Sequence, residues 1–188
     1  MKTDILIVGS GCAGLYAALN LPGDKQITII TKDIVEHSDS FLAQGGMCML
    51  KSEDDYDSYF EDTMKAGHYE NDPKSVEVMI RSSVDIVNDL VKYGADFHRE
   101  PDGSLSYTKE GAHSHHRIIF HEDVTGKEIT STLLRNVEKL PNVTIYEHVT
   151  MVDILCKDNC CYGVVARDAE DKIFPVSYTH LRAHETRR

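Results

Sequence analysis

Apolar positions in this chain recur with two periods, and the change from one to the other divides it into elements. Ile5 to Val8 is all apolar, an Ala-rich stretch reading as a helix follows at once, and Gln26 to Thr31 is a second apolar run. Short apolar runs on either side of a helix predict a parallel βαβ unit. Farther on, Val76, Met79, Ile80, Val84, Val87, Leu90 and Val91 form an apolar stripe at spacings of three and four. Asp72 can cap that helix, Pro73 suits its first turn and Gly94 can end it. Asp54 to Ala66 is polar with scattered aromatics and reads as a surface helix stopped by Gly67. Thr125-Gly126-Lys127-Glu128 has the form of a capping box opening a helix with Ile129, Leu133, Leu134, Val137 and Leu140 inward. Val143 to Tyr146 then reads as a third parallel strand. From Val149 the pattern shifts to short strands, Val149 to Leu155 and Cys161 to Arg167, around the hairpin signal Lys157-Asp158-Asn159. The prediction is one α/β unit, a parallel sheet followed by a β-meander.

Gly9-Ser10-Gly11-Cys12-Ala13-Gly14 sits between the first strand and its helix. A GxGxxG turn in that setting is a dinucleotide site. Gly9 allows the tight turn, Gly11 lets backbone approach a pyrophosphate, and Gly14 lets helix and strand pack closely, so the phosphates meet the positive end of the helix. Lys32 to Gly46 is a long loop ending in a glycine pair, where a nicotinamide-binding domain would pass directly to another strand; it implies backbone brought close to a large ligand.

Composition narrows the partners. Acidic residues outnumber basic ones by 31 to 20, for a net charge of -11 over 188 residues, the opposite of what phosphate neutralisation on a nucleic acid requires. No apolar run approaches the roughly 20 residues of a membrane span, and the first strand begins too early for a signal peptide. With five cysteines, an odd number in no regular framework, the expectation is a cytoplasmic chain.

Two clusters invite chemical readings. Cys156, Cys160 and Cys161 flank the hairpin, but strand alternation sends Cys160 and Cys161 to opposite faces, which favours structural thiols over a shared metal. Cys12 fits the glycine turn as a small side chain rather than as a catalytic thiol. Glu110-Gly111-Ala112-His113-Ser114-His115-His116-Arg117 gathers an acid, three imidazoles, a hydroxyl and a guanidinium. It fits a ligand-contacting strand edge for an anionic, amine-bearing small molecule, with a solvated polar loop and zinc ligation as alternatives.

From Val176 the sequence turns abruptly basic and loses periodicity. Residues through Thr186 resemble one reading frame of a transposase-based sequencing adaptor. The expectation is that 1–175 is the N-terminal part of a flavin domain and 176–188 is not native, so that His180 and His184 carry no meaning as a metal pair.

The motifs together resemble the flavoprotein family of succinate dehydrogenase, fumarate reductase and L-aspartate oxidase, from about Asp4 to Phe174. Those carrying the resemblance are the glycine turn, Thr31-Lys32, Ser40-Phe41-Leu42-Ala43-Gln44-Gly45-Gly46, the Glu110 to Ile118 segment, and Asp123-Val124-Thr125-Gly126-Lys127-Glu128. The resemblance implies FAD as cofactor, its pyrophosphate on the glycine turn, the isoalloxazine bordered by Ser40 to Gly46, and the adenine end near the backbone of Thr150 and Met151. Thr31-Lys32 replaces the acidic residue of the general fingerprint, as in this flavoprotein branch. Where succinate dehydrogenases and membrane fumarate reductases carry the histidine that bonds to flavin, this chain has Asp39, which implies noncovalent FAD. Glu110 matches the carboxylate that faces the substrate amino group in the aspartate-oxidising branch.

The implied reaction is oxidation of L-aspartate to iminoaspartate, with oxygen or fumarate as final acceptor, feeding quinolinate synthesis on the route to NAD with possible hand-over to quinolinate synthase. The resemblance places the catalytic arginine beyond Pro175, so the polypeptide alone is expected not to turn over. A soluble fumarate reductase and a noncatalytic flavin-binding module are the alternatives.

Overall fold

The computed structural model describes residues 1–178. In chain order its strands and helices are β1 (Lys2–Thr3), β2 (Ile5–Val8), α1 (Cys12–Asn20), β3 (Ile27–Ile30), α2 (Asp39–Leu42), β4 (Met47–Cys48), α3 (Tyr56–Ala66) and α4 (Pro73–Tyr93). They continue as β5 (Ile118–Ile119), α5 (Thr125–Val137), β6 (Val143–Tyr146), β7 (Thr150–Lys157), β8 (Cys160–Arg167) and β9 (Ile173–Tyr178). Two compact units divide the chain, residues 1–42 with the part from 133 onward, and residues 43–132.

The first unit is the α/β fold that the pattern predicts. β2, β3 and β6 form a parallel sheet in that order, in register from Ile5 opposite Ile27 and Ile27 opposite Val143. A second sheet, ordered β1-β9-β8-β7, carries the meander, and its β7–β8 hairpin turns at Asp158 and Asn159, both at positive φ (50° and 61°). Two consecutive left-handed residues are what a tight hairpin needs to match strand twist. Ile30, Val149, Val164, Ala166 and Val176 form one buried cluster, with Leu6 and Phe174 against it. β9 runs across Pro175 into the first residues of the adaptor-like segment: Ser177 pairs with Lys2 and Gly163. The rest of that segment, with His180 and His184, lies outside the described residues.

In the second unit α4 has the ends its sequence specifies. The Asp72 side chain accepts from Ser75 N at 2.7 Å, Pro73 opens the helix, and Gly94 closes it at φ 98°. Val76, Ile80, Val87 and Leu90 are buried. A core of Leu50, Tyr59, Met64, Val76 and Ile80 joins α4 to α3.

Three expectations change. α3 is more than a surface helix, because it buries Tyr59 and Met64. The Thr125 capping box does not form: Thr125 lies inside α5 and its hydroxyl accepts from His121 N at 3.0 Å, while Glu128 Oε1 accepts from Asp96 N at 2.9 Å and from Thr132. Glu128 finds a backbone donor on another segment, which satisfies it without the reciprocal cap. The Lys32 to Gly46 loop contains a 3-10 turn, Val35–His37, and the short α2, where successive backbone groups bond locally instead of extending.

Candidate functional site

The first unit gathers the predicted nucleotide residues at the C-terminal edge of its parallel strands, the position where open α/β sheets bind ligands. Gly9, at φ 105°, donates its N–H to Ile30 O at 2.9 Å and turns the chain from β2 into α1. Only glycine takes that conformation without strain. A Cβ on Gly14 would lie 2.5 Å from Gly9 O and 3.1 Å from Ile7 Cγ2, so the helix sits directly on the turn. Gly11 precedes α1 and brings no capping side chain to its N-terminus.

A groove of about 410 Å³ opens above this turn. Gly9, Ser10 and Gly11 form one wall, Thr31, Lys32 and Asp33 a second, Ser38 to Ser40 a third, and Val149 to Met151 a fourth. Ser40 Oγ accepts from Cys12 N at 3.2 Å, tying the loop to the first turn of α1. The buried Ser10 hydroxyl donates to Thr31 Oγ1 at 3.1 Å, so Ser10 and Thr31 brace the groove floor. Ala13 and Gly14 on α1 and the half-buried Phe41 in α2 are not among the residues lining the groove. Thr150 and Met151 open β7, with three residues between Thr150 and the end of β6. A turn with glycine at positions 9 and 11, beside a helix N-terminus inside a groove, fits the diphosphate and ribose portion of a dinucleotide.

Asp33 also lines the groove. Its Oδ2 is 3.0 Å from His37 Nδ1 and its Oδ1 accepts from Ile34 N at 2.8 Å. The His37 contact, with the Ile34 N–H, holds its carboxyl below the ordinary aspartate value. Asp39 is exposed on the same groove.

Ala43, Gln44, Gly45, Gly46 and Glu110 belong to the second unit, where all five are exposed. Ala43 O accepts from Gly126 N at 3.0 Å. A Cβ on Gly46 would overlap Ile118 and Ile119, so this backbone lies directly on β5. A Cβ on Gly45 would be 3.8 Å from Glu110 Oε2, which sets the Glu110 carboxylate beside the glycine pair.

What the sequence pattern does not reveal is the fate of Arg117. Its side chain is fully buried, with Nε and Nη2 on Asp55 at 3.2 and 2.8 Å, Nη2 on Ser58 Oγ at 2.8 Å, and Nη1 on Asp62 Oδ2. Burial pushes the Asp62 carboxyl up, but the Ser114 N–H and the Arg117 guanidinium more than offset it and leave the pKa at about 2. Asp55 is likewise held low against burial by Arg117, Ser58 and His115. The available signal was the spacing of Asp55, Ser58 and Asp62, three and then four apart, on one face leading through α3.

The three histidines of this segment separate. His113 Nε2 is 3.7 Å from Cys48 Sγ, His115 Nδ1 is 3.3 Å from Asp55, and His116 is exposed. Among the described residues no group of three or more His, Cys, Asp or Glu side chains is placed to hold a metal ion, and no helix is long and apolar enough to cross a membrane. Cys156 pairs with Cys161 across the hairpin, and Cys160 is exposed.

The FAD binding domain family matches residues 4–185. L-aspartate oxidase of Clostridium perfringens is 46% identical over 169 residues, covering 89% of this chain and 38% of that protein. L-aspartate oxidase of Clostridium acetobutylicum is 40% identical, covering 88% and 38%. The chain therefore spans well under half the length of these relatives. Among solved structures, a variant of the quinol fumarate reductase subunit FrdA of E. coli matches with a TM-score of 0.89 at 25% identity, covering 95% of this chain and 31% of that one.

Proposed function

Because this chain belongs to the FAD-binding domain family, we propose that it is the flavin-binding part of an L-aspartate oxidase, working in the cytoplasm. The similarity to the clostridial proteins carries this reading, and Glu110 and Asp39 support it. The substrate loses a hydride from its α-carbon and a proton from its nitrogen, giving iminoaspartate, a precursor for quinolinate and NAD. FAD, when bound, supplies the two-electron acceptor, and oxygen or fumarate restores its oxidised form.

The chain's own residues bind and orient. Gly9 to Gly14 cradle the diphosphate at the N-terminus of α1, Thr31 and Lys32 border the ribose side, and the backbone of Thr150 and Met151 meets the adenine end. Ser40 and Phe41 of the first unit would border the flavin ring, a role proposed separately for Ala43 to Gly46 of the second unit. The Glu110 carboxylate pairs with the substrate ammonium, which succinate lacks. This division is usual for a cofactor enzyme, with protein groups setting position and charge.

Asp39 cannot form the histidyl linkage, so FAD is held noncovalently. Acid precipitation of the full-length protein should leave its yellow colour in the supernatant; colour retained in the pellet would refute noncovalent binding. Residues 176–188 are proposed to be foreign to the gene. Long-read sequencing of the locus should replace them with a continuation of the flavin domain, and recovery of the same tail followed by a stop codon would overturn that assignment.

A further inference from the structure

Glu110 stands on a loop whose base is closed by one antiparallel bridge, Thr108 N to Ile118 O at 2.8 Å and Ile118 N to Thr108 O at 3.1 Å. Ala112 turns this loop at φ 69°, a conformation that a residue with a side chain rarely adopts. The returning limb is fastened to α3. Asp62 Oδ2 accepts from both Ser114 N and Ser114 Oγ at 2.7 Å and from Arg117 Nη1. Ser114 adjoins the turn in which His113 N donates to Glu110 O at 3.3 Å. One carboxylate oxygen thus joins helix α3 to the loop bearing Glu110.

We propose that Asp62 is a positioning residue for substrate-amine recognition: through Ser114 and Arg117 it fixes the loop so that the Glu110 carboxylate stays beside Gly45. The inference rests on the function proposed above. The bond from the buried Arg117 guanidinium is charge-assisted and part-buried, the two exposed bonds from Ser114 meet the same oxygen, and the low pKa of Asp62 keeps it an acceptor throughout the physiological range. Without this fastening the strained turn at Ala112 can relax, and Glu110 loses its orientation while keeping its charge.

The test is a double-mutant cycle in the full-length, FAD-loaded enzyme, measuring kcat and KM for L-aspartate. Asp62→Asn should lower kcat/KM by roughly 10-fold, within the range of coupling between residues joined through one hydrogen-bond network, whereas in a Glu110→Gln background the same change should have almost no further effect. Ser114→Ala, which keeps the backbone bond and the Arg117 pair, should give a smaller loss with the same dependence on Glu110, and it serves if Asp62→Asn does not fold. Equal losses in both backgrounds would overturn the positioning role and leave Asp62 as part of the fold. If wild-type enzyme oxidises L-aspartate and Glu110→Gln impairs it, such additivity counts against the inference alone. A wild-type enzyme inert toward L-aspartate overturns both.

Discussion

Replacing Arg117 by methionine should destabilise the folded protein by about 3 to 5 kcal/mol, because removing one partner of a buried ionic network leaves the others uncompensated. Here the abandoned groups are two carboxylates, Asp55 and Asp62, next to a side chain of zero exposure. Urea unfolding of wild type and variant at neutral pH measures the loss, and equal midpoints would mean that Arg117 holds nothing. Acid gives a second signature. A carboxyl whose folded pKa lies below its unfolded value near 4 contributes stability that is complete above about pH 4 and lost as pH falls through the folded pKa. With Asp62 at about 2, wild-type stability should decline between roughly pH 4 and 2. In Arg117→Met the guanidinium no longer favours the ionised form, so that acid-dependent decline should shrink or reverse.

Glu110→Gln should lower kcat/KM for L-aspartate by roughly 30-fold to a few thousand-fold. Losing one partner of a charge pair that substrate binding desolvates costs about 2 to 5 kcal/mol, and each roughly 1.4 kcal/mol is tenfold. Fumarate lacks the amine, so its reduction should fall much less, and can improve once a carboxylate no longer repels a dianion. Steady-state kinetics with L-aspartate as donor and, separately, fumarate as acceptor make the comparison. An equal loss on both substrates would assign Glu110 to the fold or the flavin instead of the amine.

These two residues mark what local pattern can and cannot convey. Elements set by neighbours in sequence were legible: Asp72, Pro73 and Gly94 specify both ends of α4, and Gly9, Gly11 and Gly14 specify the turn between β2 and α1. The groove at the glycine turn lies where a parallel sheet brings its loops to one edge. In sequence Arg117 is one polar member of a mixed segment, since its partners lie 62 and 55 residues earlier. Burial of α3 is hidden for the same reason: the polar residues that make it look solvent-facing include Asp55, Ser58 and Asp62, which meet a cation supplied from elsewhere. The capping box at Thr125 failed where a motif with good local geometry met a better long-range donor, Asp96 N.

The central claim is that this is the flavin-binding part of an enzyme that takes electrons from L-aspartate. Its most direct test is to mix the purified full-length protein with L-aspartate without oxygen and follow the flavin absorbance. Bleaching by L-aspartate, with succinate leaving the flavin oxidised, is the predicted result; bleaching by succinate alone, or a folded protein that holds no flavin, would contradict it.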